Sequence, residues 1–377
     1  MTAPSKSSKT RRIGLLTGGG DCPGLNAVLW AVVNACERGG VEVLGIPEGF
    51  EGLVETGGVR RMGSAEVRDI FSRGGTILGS TNRGNPFKYV HTVRGKEVTE
   101  DRSSQIIATI GTLGLDGLIA IGGDGTLSIA NELSHLGANV IGVPKTIDND
   151  LAATDTTFGF FTAVETAMGA LDRLKTTGES HDRVMILEVM GRDAGWIALE
   201  SGLTGGAHVI LIPEIPYKLD AVLKKIRARW DEEGRNFTLI VVAEGAFPHG
   251  GKAQYVDHGR KGSVARLGGA GATLEQALRE QLETWQRPRG APEVRTTVLG
   301  HIQRGGSPCA YDRLISLRFG AEAARLAMAG AWNRMVCLRG MEIQNVPLAE
   351  GISRPHGVDP HGQLVAQARA VGISFGD

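Results

Sequence analysis

Neither sign of charge is in excess in this sequence: 41 lysines and arginines face 41 aspartates and glutamates, for a formal net charge of +0. That removes any general electrostatic pull toward nucleic acid or anionic lipid, so an anionic ligand would have to be held by local arginines and lysines. Cysteine is scarce, and Cys22, Cys36, Cys309 and Cys337 show neither C-x-x-C spacing nor a histidine pairing suited to zinc. They read as free thiols in a reducing, cytoplasmic setting. No window approaches the apolar length of a membrane span, so no membrane partner is expected. Met1 to Arg12 is rich in Ser, Thr and Lys without an apolar core, and reads as a short disordered tail instead of a secretory signal. No internal repeat or low-complexity tract is present.

What the chain does have is core-forming material and glycine. Hydrophobic residues make up 41% and charged residues 22% of its 377 positions, enough for two or three domain-sized units. The 55 glycines are about twice the average share and cluster at the ends of apolar runs. Strand-like runs fall at Ile13 to Thr17, Leu118 to Ile121, Val140 to Val143, Val184 to Val189, Val209 to Ile212, Thr238 to Val242 and Arg295 to Leu299. Helical patterns lie between them, at about Asn26 to Arg38, Leu127 to Leu136, Thr162 to Lys175, Asp220 to Trp230, Leu274 to Trp285 and Asp312 to Ala329. Near-continuous apolar strands alternating with helices predict an α/β fold with mostly parallel sheets covered on both faces. Two sheets are expected instead of one very wide one. Phe247 to Gly271, rich in Gly, His and Lys without periodicity, reads as a mobile surface loop.

Three loops carry chemistry. Gly18-Gly-Gly-Asp-Cys-Pro-Gly24 lies between a strand and a helix, where exposed N–H groups and the helix N-terminus suit a phosphate. The spacing is neither the dinucleotide fingerprint nor a Walker A loop, and a tight strand-to-helix turn explains it equally well. Gly122-Gly-Asp-Gly-Thr126 repeats the arrangement with an acid in it. Aspartate beside a phosphate cradle is electrostatically poor unless a cation sits between them, so Asp124 points to Mg²⁺. Pro144-Lys-Thr-Ile-Asp-Asn-Asp150 puts Asp148 and Asp150 in one turn. A general base or a cation contact would explain that juxtaposition, and so would an Asx-rich capping turn.

The segments Gly18 to Asn26, Gly74 to Gly79, Gly122 to Thr126, Pro144 to Asp150, Glu188 to Gly195 and Leu299 to Gly306 occur in the order of the phosphofructokinase family. The chain resembles that family from about Ile13 to about Leu348, most specifically through PKTIDND and LGHIQRGG. The five residues of GGDGT alone also resemble NAD kinases and lipid kinases. The resemblance implies two similar three-layer α/β domains with the active site in the cleft between them. Residues 13–158 with about 302–350 would bind the phosphoryl donor, and 159–301 with the C-terminal segment the sugar phosphate. It implies transfer of a phosphoryl group from Mg-ATP to the 1-hydroxyl of fructose 6-phosphate in glycolysis.

By the same resemblance, Asp148 is the base that deprotonates the sugar hydroxyl, with Thr146, Ile147 and Asp150 beside it, and Asp124 is the magnesium-associated acid. Gly20, Arg83, Gly84, Gly123, Asp124, Gly125 and Thr126 match the nucleotide and phosphate contacts, although Arg83 stands one residue later than in many members. Met190, Gly191 and Arg192 match the segment against the sugar and the transferred group, where Arg192 offsets charge on the phosphoryl oxygens. Glu244 matches a sugar-hydroxyl ligand. Arg183, Arg295, His301 and Arg304 match the cluster that holds the 6-phosphate, which favours forked guanidinium donors. Because Arg183 and Arg295 reach a neighbouring subunit's site in this family, a homodimer or homotetramer is implied.

Two positions discriminate the donor. ATP users in the family carry glycine at the position of Gly125, leaving room for the α-phosphate, where pyrophosphate users carry aspartate. Lys145 is the pyrophosphate-type residue. The open space at Gly125 outweighs it, so ATP is expected, with a pyrophosphate-dependent enzyme as the alternative. A non-catalytic sugar-phosphate-binding subunit would be expected to lack Asp148, Asp124 or Arg192. Trp30, Asn34, Lys175 and His208 replace residues that bind anionic effectors in bacterial members. ADP activation and phosphoenolpyruvate inhibition are therefore expected to be absent or altered.

Overall fold

A computed structural model describes residues 11–55, 57–257, 266–285, 287, 290–352 and 355–377. The chain opens with β1 (Arg12–Thr17), β2 (Glu42–Ile46) and β3 (Arg60–Met62), then a hairpin of β4 (Tyr89–Val93) and β5 (Lys96–Glu100). Next come β6 (Gly117–Gly122) and β7 (Val140–Pro144). A second run holds β8 (Arg183–Val189), β9 (Val209–Leu211), β10 (Thr238–Ala243), the short pair β11 (Tyr255–Asp257) and β12 (Arg266–Leu267), and β13 (Glu293–Val298). β14 (Arg334–Arg339) and β15 (Glu342–Pro347) close the series.

Two sheets dominate: a seven-stranded one in the order β15-β14-β7-β6-β1-β2-β3 and a four-stranded one in the order β13-β8-β10-β9. β6, β7 and β10 are buried at every position, and β8 at all but its first, as a parallel strand covered by helices on both faces must be. β1 pairs in parallel with both β2 and β6, whereas the edge strands β3 and β15 are antiparallel to their neighbours. Chain order therefore runs one way from β1 to β3 and the other way from β6 to β15. The gap between β1 and β6 is a topological switch point, the position where open α/β sheets take ligands. β8, β10 and β13 are mutually parallel, so their C-terminal ends also share one edge.

The sequence-based elements are all present, with shifted ends. The helix expected from Leu127 is Asp124–His135, so Asp124 sits in its first turn. The helix expected over Thr162 to Lys175 is Phe160–His181. The Phe247 to Gly271 loop needs correction: Tyr255 pairs with Leu267, and a helix starts at Ala270, within the expected loop. The rest of that loop, 258–265, and residues 1–10 of the expected tail lie outside the described residues. The edge strands β3 and β15 escape sequence reading because their exposed, charged positions blunt an edge and give no apolar run.

The Leu25–Arg38 and Ala310–Ala329 helices approach each other through a glycine. A Cβ on Gly320 would lie 2.8 Å from the Val28 carbonyl oxygen and 2.8 Å from Ala31 Cβ, whereas one on the exposed helical Gly111 would meet nothing within 4 Å. Helix propensity alone would favour alanine at both sites by about 1 kcal/mol. At Gly320 the clash with backbone wins, so Gly320→Ala should destabilise by about 1–3 kcal/mol while Gly111→Ala stabilises slightly. Denaturant midpoints of the two variants check this; stabilisation by both would show the helix contact to be looser than described.

Candidate functional site

The first glycine loop follows β1 directly. Gly18 N–H donates to the Ile121 carbonyl at 2.9 Å, joining this loop to the end of β6 across the switch point. A Cβ on Gly18 would sit 2.6 Å from Oγ1 and 2.9 Å from Cγ2 of the buried Thr126, which confines that position to glycine, whereas one on Gly20 would meet the movable end of Arg304, 2.7 Å from Nη1. Gly123 precedes the Asp124–His135 helix, and Thr126 is buried in its first turn. Asp124 and Gly125 are exposed on the loop. No cationic side chain forms a salt bridge with Asp124 among the described residues, and a Cβ on Gly125 would meet nothing within 4 Å. An unpaired carboxylate beside open space at a helix N-terminus fits a magnesium–phosphate group.

The acidic loop follows β7. Asp148 N–H donates to Thr146 Oγ1 at 3.0 Å. Thr157 ties the loop down twice, donating from its N–H to Asn149 Oδ1 at 3.0 Å and from its hydroxyl to the Thr146 carbonyl at 2.7 Å. Asn149 adopts a left-handed φ of 53°, which turns the chain sharply between the two acids. Asp148 is only 5% exposed, and its Oδ1 is buried without a hydrogen-bond partner. Burial pushes its carboxyl up, against the opposing pull of Arg304, Arg192 and Lys145. Burial and then the neighbouring Asp148 raise Asp150 to about 6. Lys145 is buried, donates its ammonium to the Gly20 carbonyl, and is pushed down by burial. Ile147 faces the core, so only its backbone can meet a ligand.

The second sheet supplies the opposite wall. After β8, Met190 N–H donates to Gln303 Oε1 at 2.9 Å, and Gly191 and Arg192 take φ values of 140° and 51°. Arg192 N–H donates to Glu244 Oε1 at 3.1 Å, leaving the exposed guanidinium free of that bond. Glu244 follows β10 and is raised to about 7 by burial. Arg304 follows β13 and donates from Nη1 to the Asp21 carbonyl at 3.3 Å. Asp148 is thus faced by cations from three different loops. A left-handed arginine is backbone strain of the kind found at functional sites.

Not every sequence-derived candidate joins this group. Arg183 and Arg295 both pair with Glu293, on β8 and the edge strand β13. His301 is exposed beside Arg304. Arg83 is exposed, with its N–H on Thr81 Oγ1, and Gly84 takes a φ of 79° beside Glu51. The positions expected from the sequence to have lost effector ligands make contacts within the chain: Asn34 donates to the Trp30 carbonyl, and Trp30 packs edge-on against Phe71. His208 Nδ1 accepts from Leu239 N–H, and burial drives that imidazole down to about 3. Lys175 is one of the cations near it. Sequence reasoning passed over Gln303, Asn149 and Thr157 as supports, although Gln303 and Asn149 stand inside the two most specific motifs.

The family model for phosphofructokinase matches residues 12–327. Over 372 residues the chain is 52% identical to the ATP-dependent 6-phosphofructokinase of Chloroflexus aurantiacus, covering 98% of this chain and 99% of that protein. It is 48% identical over 352 residues to the pyrophosphate–fructose 6-phosphate 1-phosphotransferase of Amycolatopsis methanolica, covering 93% and 96% of the two chains. Among solved structures, Pichia pastoris phosphofructokinase in the T-state matches with a TM-score of 0.75 and 29% identity over 98% of this chain. The present chain spans 37% of that one.

The two adjacent acids give a pH signature. A base that must be ionised loses activity as pH falls through its pKa, and burial raises that of Asp148, so the acid-side decline of kcat/KM should lie above the ordinary carboxylate range. The charge of Asp148 raises Asp150, and the repulsion between two carboxylates is mutual, so replacing Asp150 by Asn should move the acid limb to lower pH. A pH–rate profile of the variant whose limb stays in place or moves upward would show that the two carboxyls do not interact.

Proposed function

The chain belongs to the phosphofructokinase family, and on that footing we propose that it transfers a phosphoryl group from Mg-ATP to the 1-hydroxyl of fructose 6-phosphate, yielding fructose 1,6-bisphosphate and ADP. The observation that carries the reading is Asp148: a buried carboxylate with an unpartnered oxygen, faced by Lys145, Arg192 and Arg304. Asp148 takes the hydroxyl proton as the sugar oxygen bonds to the γ-phosphorus and the bond to the bridging oxygen of ADP breaks. Thr146 braces the backbone that carries the carboxylate by accepting from Asp148 N–H. Arg192 offsets charge on the equatorial phosphoryl oxygens, and Glu244 with the Met190–Gly191 backbone receives the sugar. Asp124 would hold Mg²⁺, which neutralises phosphate charge when bound.

Gly125 supports ATP as donor, because the space beside it is open. Lys145 does not oppose this, since its ammonium is buried and tied to the Gly20 carbonyl beneath the first glycine loop. Gly20, Gly84, Gly123 and Thr126 would contact the nucleotide phosphates, with Arg83 at their edge. Arg304 and His301 would hold the 6-phosphate. Arg183 and Arg295 pair with Glu293 at the edge strand β13, and Val298 on that strand and Ile302 just after it are exposed, which supports a homodimer or homotetramer whose sites are completed by these arginines across an interface. The division into 13–158 with about 302–350, and 159–301 with the C-terminal segment, follows the sheets: β14 and β15 belong to the first, and Ser374 bridges to Val209 of the second. No helix among the described residues is long and apolar enough to cross a membrane, and a cytoplasmic location fits a glycolytic role.

Asp148→Asn keeps the shape of the side chain and removes the base. We expect kcat to fall by about 10²–10⁴-fold with KM for fructose 6-phosphate changed only about threefold or less. Steady-state kinetics decide it; a variant with near-normal kcat would end the assignment of Asp148 as base.

A further inference from the structure

The C-terminal segment beyond the matched family region crosses the site just described. Pro355 forms an antiparallel bridge with Leu151, immediately after the acidic loop. His356 then uses both of its backbone groups on different loops. Its N–H donates to the Asp150 carbonyl at 2.8 Å, and its carbonyl accepts from Trp196 Nε1 at 2.8 Å. The Trp196 and His356 rings also pack with centroids 5.0 Å apart. Trp196 opens the helix that follows the Arg192 loop. One residue thus joins the loop carrying Asp148 to the loop carrying Arg192.

Glu214 locks this crossing in place. Its Oε1 accepts from Gly195 N–H at 2.9 Å and from Val358 N–H at 2.7 Å, so the same oxygen grips the end of the Arg192 loop and the crossing segment. The approach is tight: a Cβ on Gly195 would lie 2.7 Å from Glu214 Oε2, and one on Gly357 3.1 Å from Oε1. Oε2 itself is buried without a partner among the described residues. A buried carboxylate with one empty oxygen is costly for a surface-type turn to keep.

We propose that Pro355–Val358 is a tether that fixes the gap between the Asp148 and Arg192 loops, and that Glu214 is its anchor and a positioning residue for phosphoryl transfer. The proposal rests on the functional reading given above. Neither Glu214 nor His356 touches the reacting groups; they set the distance between the two that do. Misplacement of reacting groups by about 1 Å can cost about 10²-fold in rate. Loss of the anchor should therefore appear in kcat and not in the binding of either substrate.

The test measures fructose 1,6-bisphosphate formation by the full chain with fructose 6-phosphate and Mg-ATP. Glu214→Ala should lower kcat by about 10- to 100-fold with both KM values within about threefold. Glu214→Gln keeps an oxygen acceptor and should retain kcat within about threefold of the parent. Trp196→Phe keeps the ring but deletes the donor to the His356 carbonyl, and should lower kcat by about three- to tenfold, an arm that decides the matter if Glu214→Ala does not fold. The proposal is overturned if Glu214→Ala and Trp196→Phe turn over within twofold of the parent, if the loss falls on KM alone, or if Glu214→Gln is as slow as Glu214→Ala. An inactive parent protein would instead contradict the functional reading.

Discussion

A carboxylate cannot remain charged inside a protein unless cations or donors replace its water, and the arrangement of this site follows from meeting that condition at Asp148. The compensating charges come from Lys145 in the same loop, Arg192 after β8 and Arg304 after β13. The first belongs to a loop of the seven-stranded sheet and the other two to loops of the four-stranded one. The two sheets must therefore bring their C-terminal strand ends together for Asp148 to be tolerated. One oxygen of that carboxylate has no hydrogen-bond partner among the described residues, which leaves its acceptor capacity unused within the chain.

The same condition explains the glycines. The Arg304 guanidinium lies close against Gly20 of the first glycine loop, and Thr126 packs under that loop only because Gly18 has no side chain. The open space at Gly125 has the opposite character, being unoccupied by any protein atom within reach of a Cβ. Close approach at two glycines and free space at the third turn one loop pair into a cradle with a closed floor and an open side. Asp124 stands exposed on the open side with no salt bridge to a cation among the described residues.

Much of this was legible in the sequence because it is local. Apolar runs ending in glycine mark parallel strands ending in ligand loops, and the order of the loops identifies the family. What could not be read is long-range pairing. Glu293 draws Arg183 across from β8 to β13, and nothing in the spacing of 183 and 293 announces that contact. Gln303 supports Met190 from over a hundred residues away, and Glu214 meets Val358 from still farther. These partners are chosen by the packing of the two sheets, which a linear pattern does not encode. The β11–β12 pairing was missed for a related reason: short strands with mixed polarity carry no period to detect.

Lys145 and Gly125 point toward different donors when taken as sequence, and geometry weighs them differently. A buried ammonium bound to a backbone carbonyl acts on the loop above it, whereas an open face beside a helix N-terminus acts on whatever phosphate arrives. The most direct test supplies purified protein and fructose 6-phosphate with either Mg-ATP or Mg-pyrophosphate and measures fructose 1,6-bisphosphate. Product with Mg-ATP and none with Mg-pyrophosphate is the expected result. Turnover with pyrophosphate alone would contradict the account.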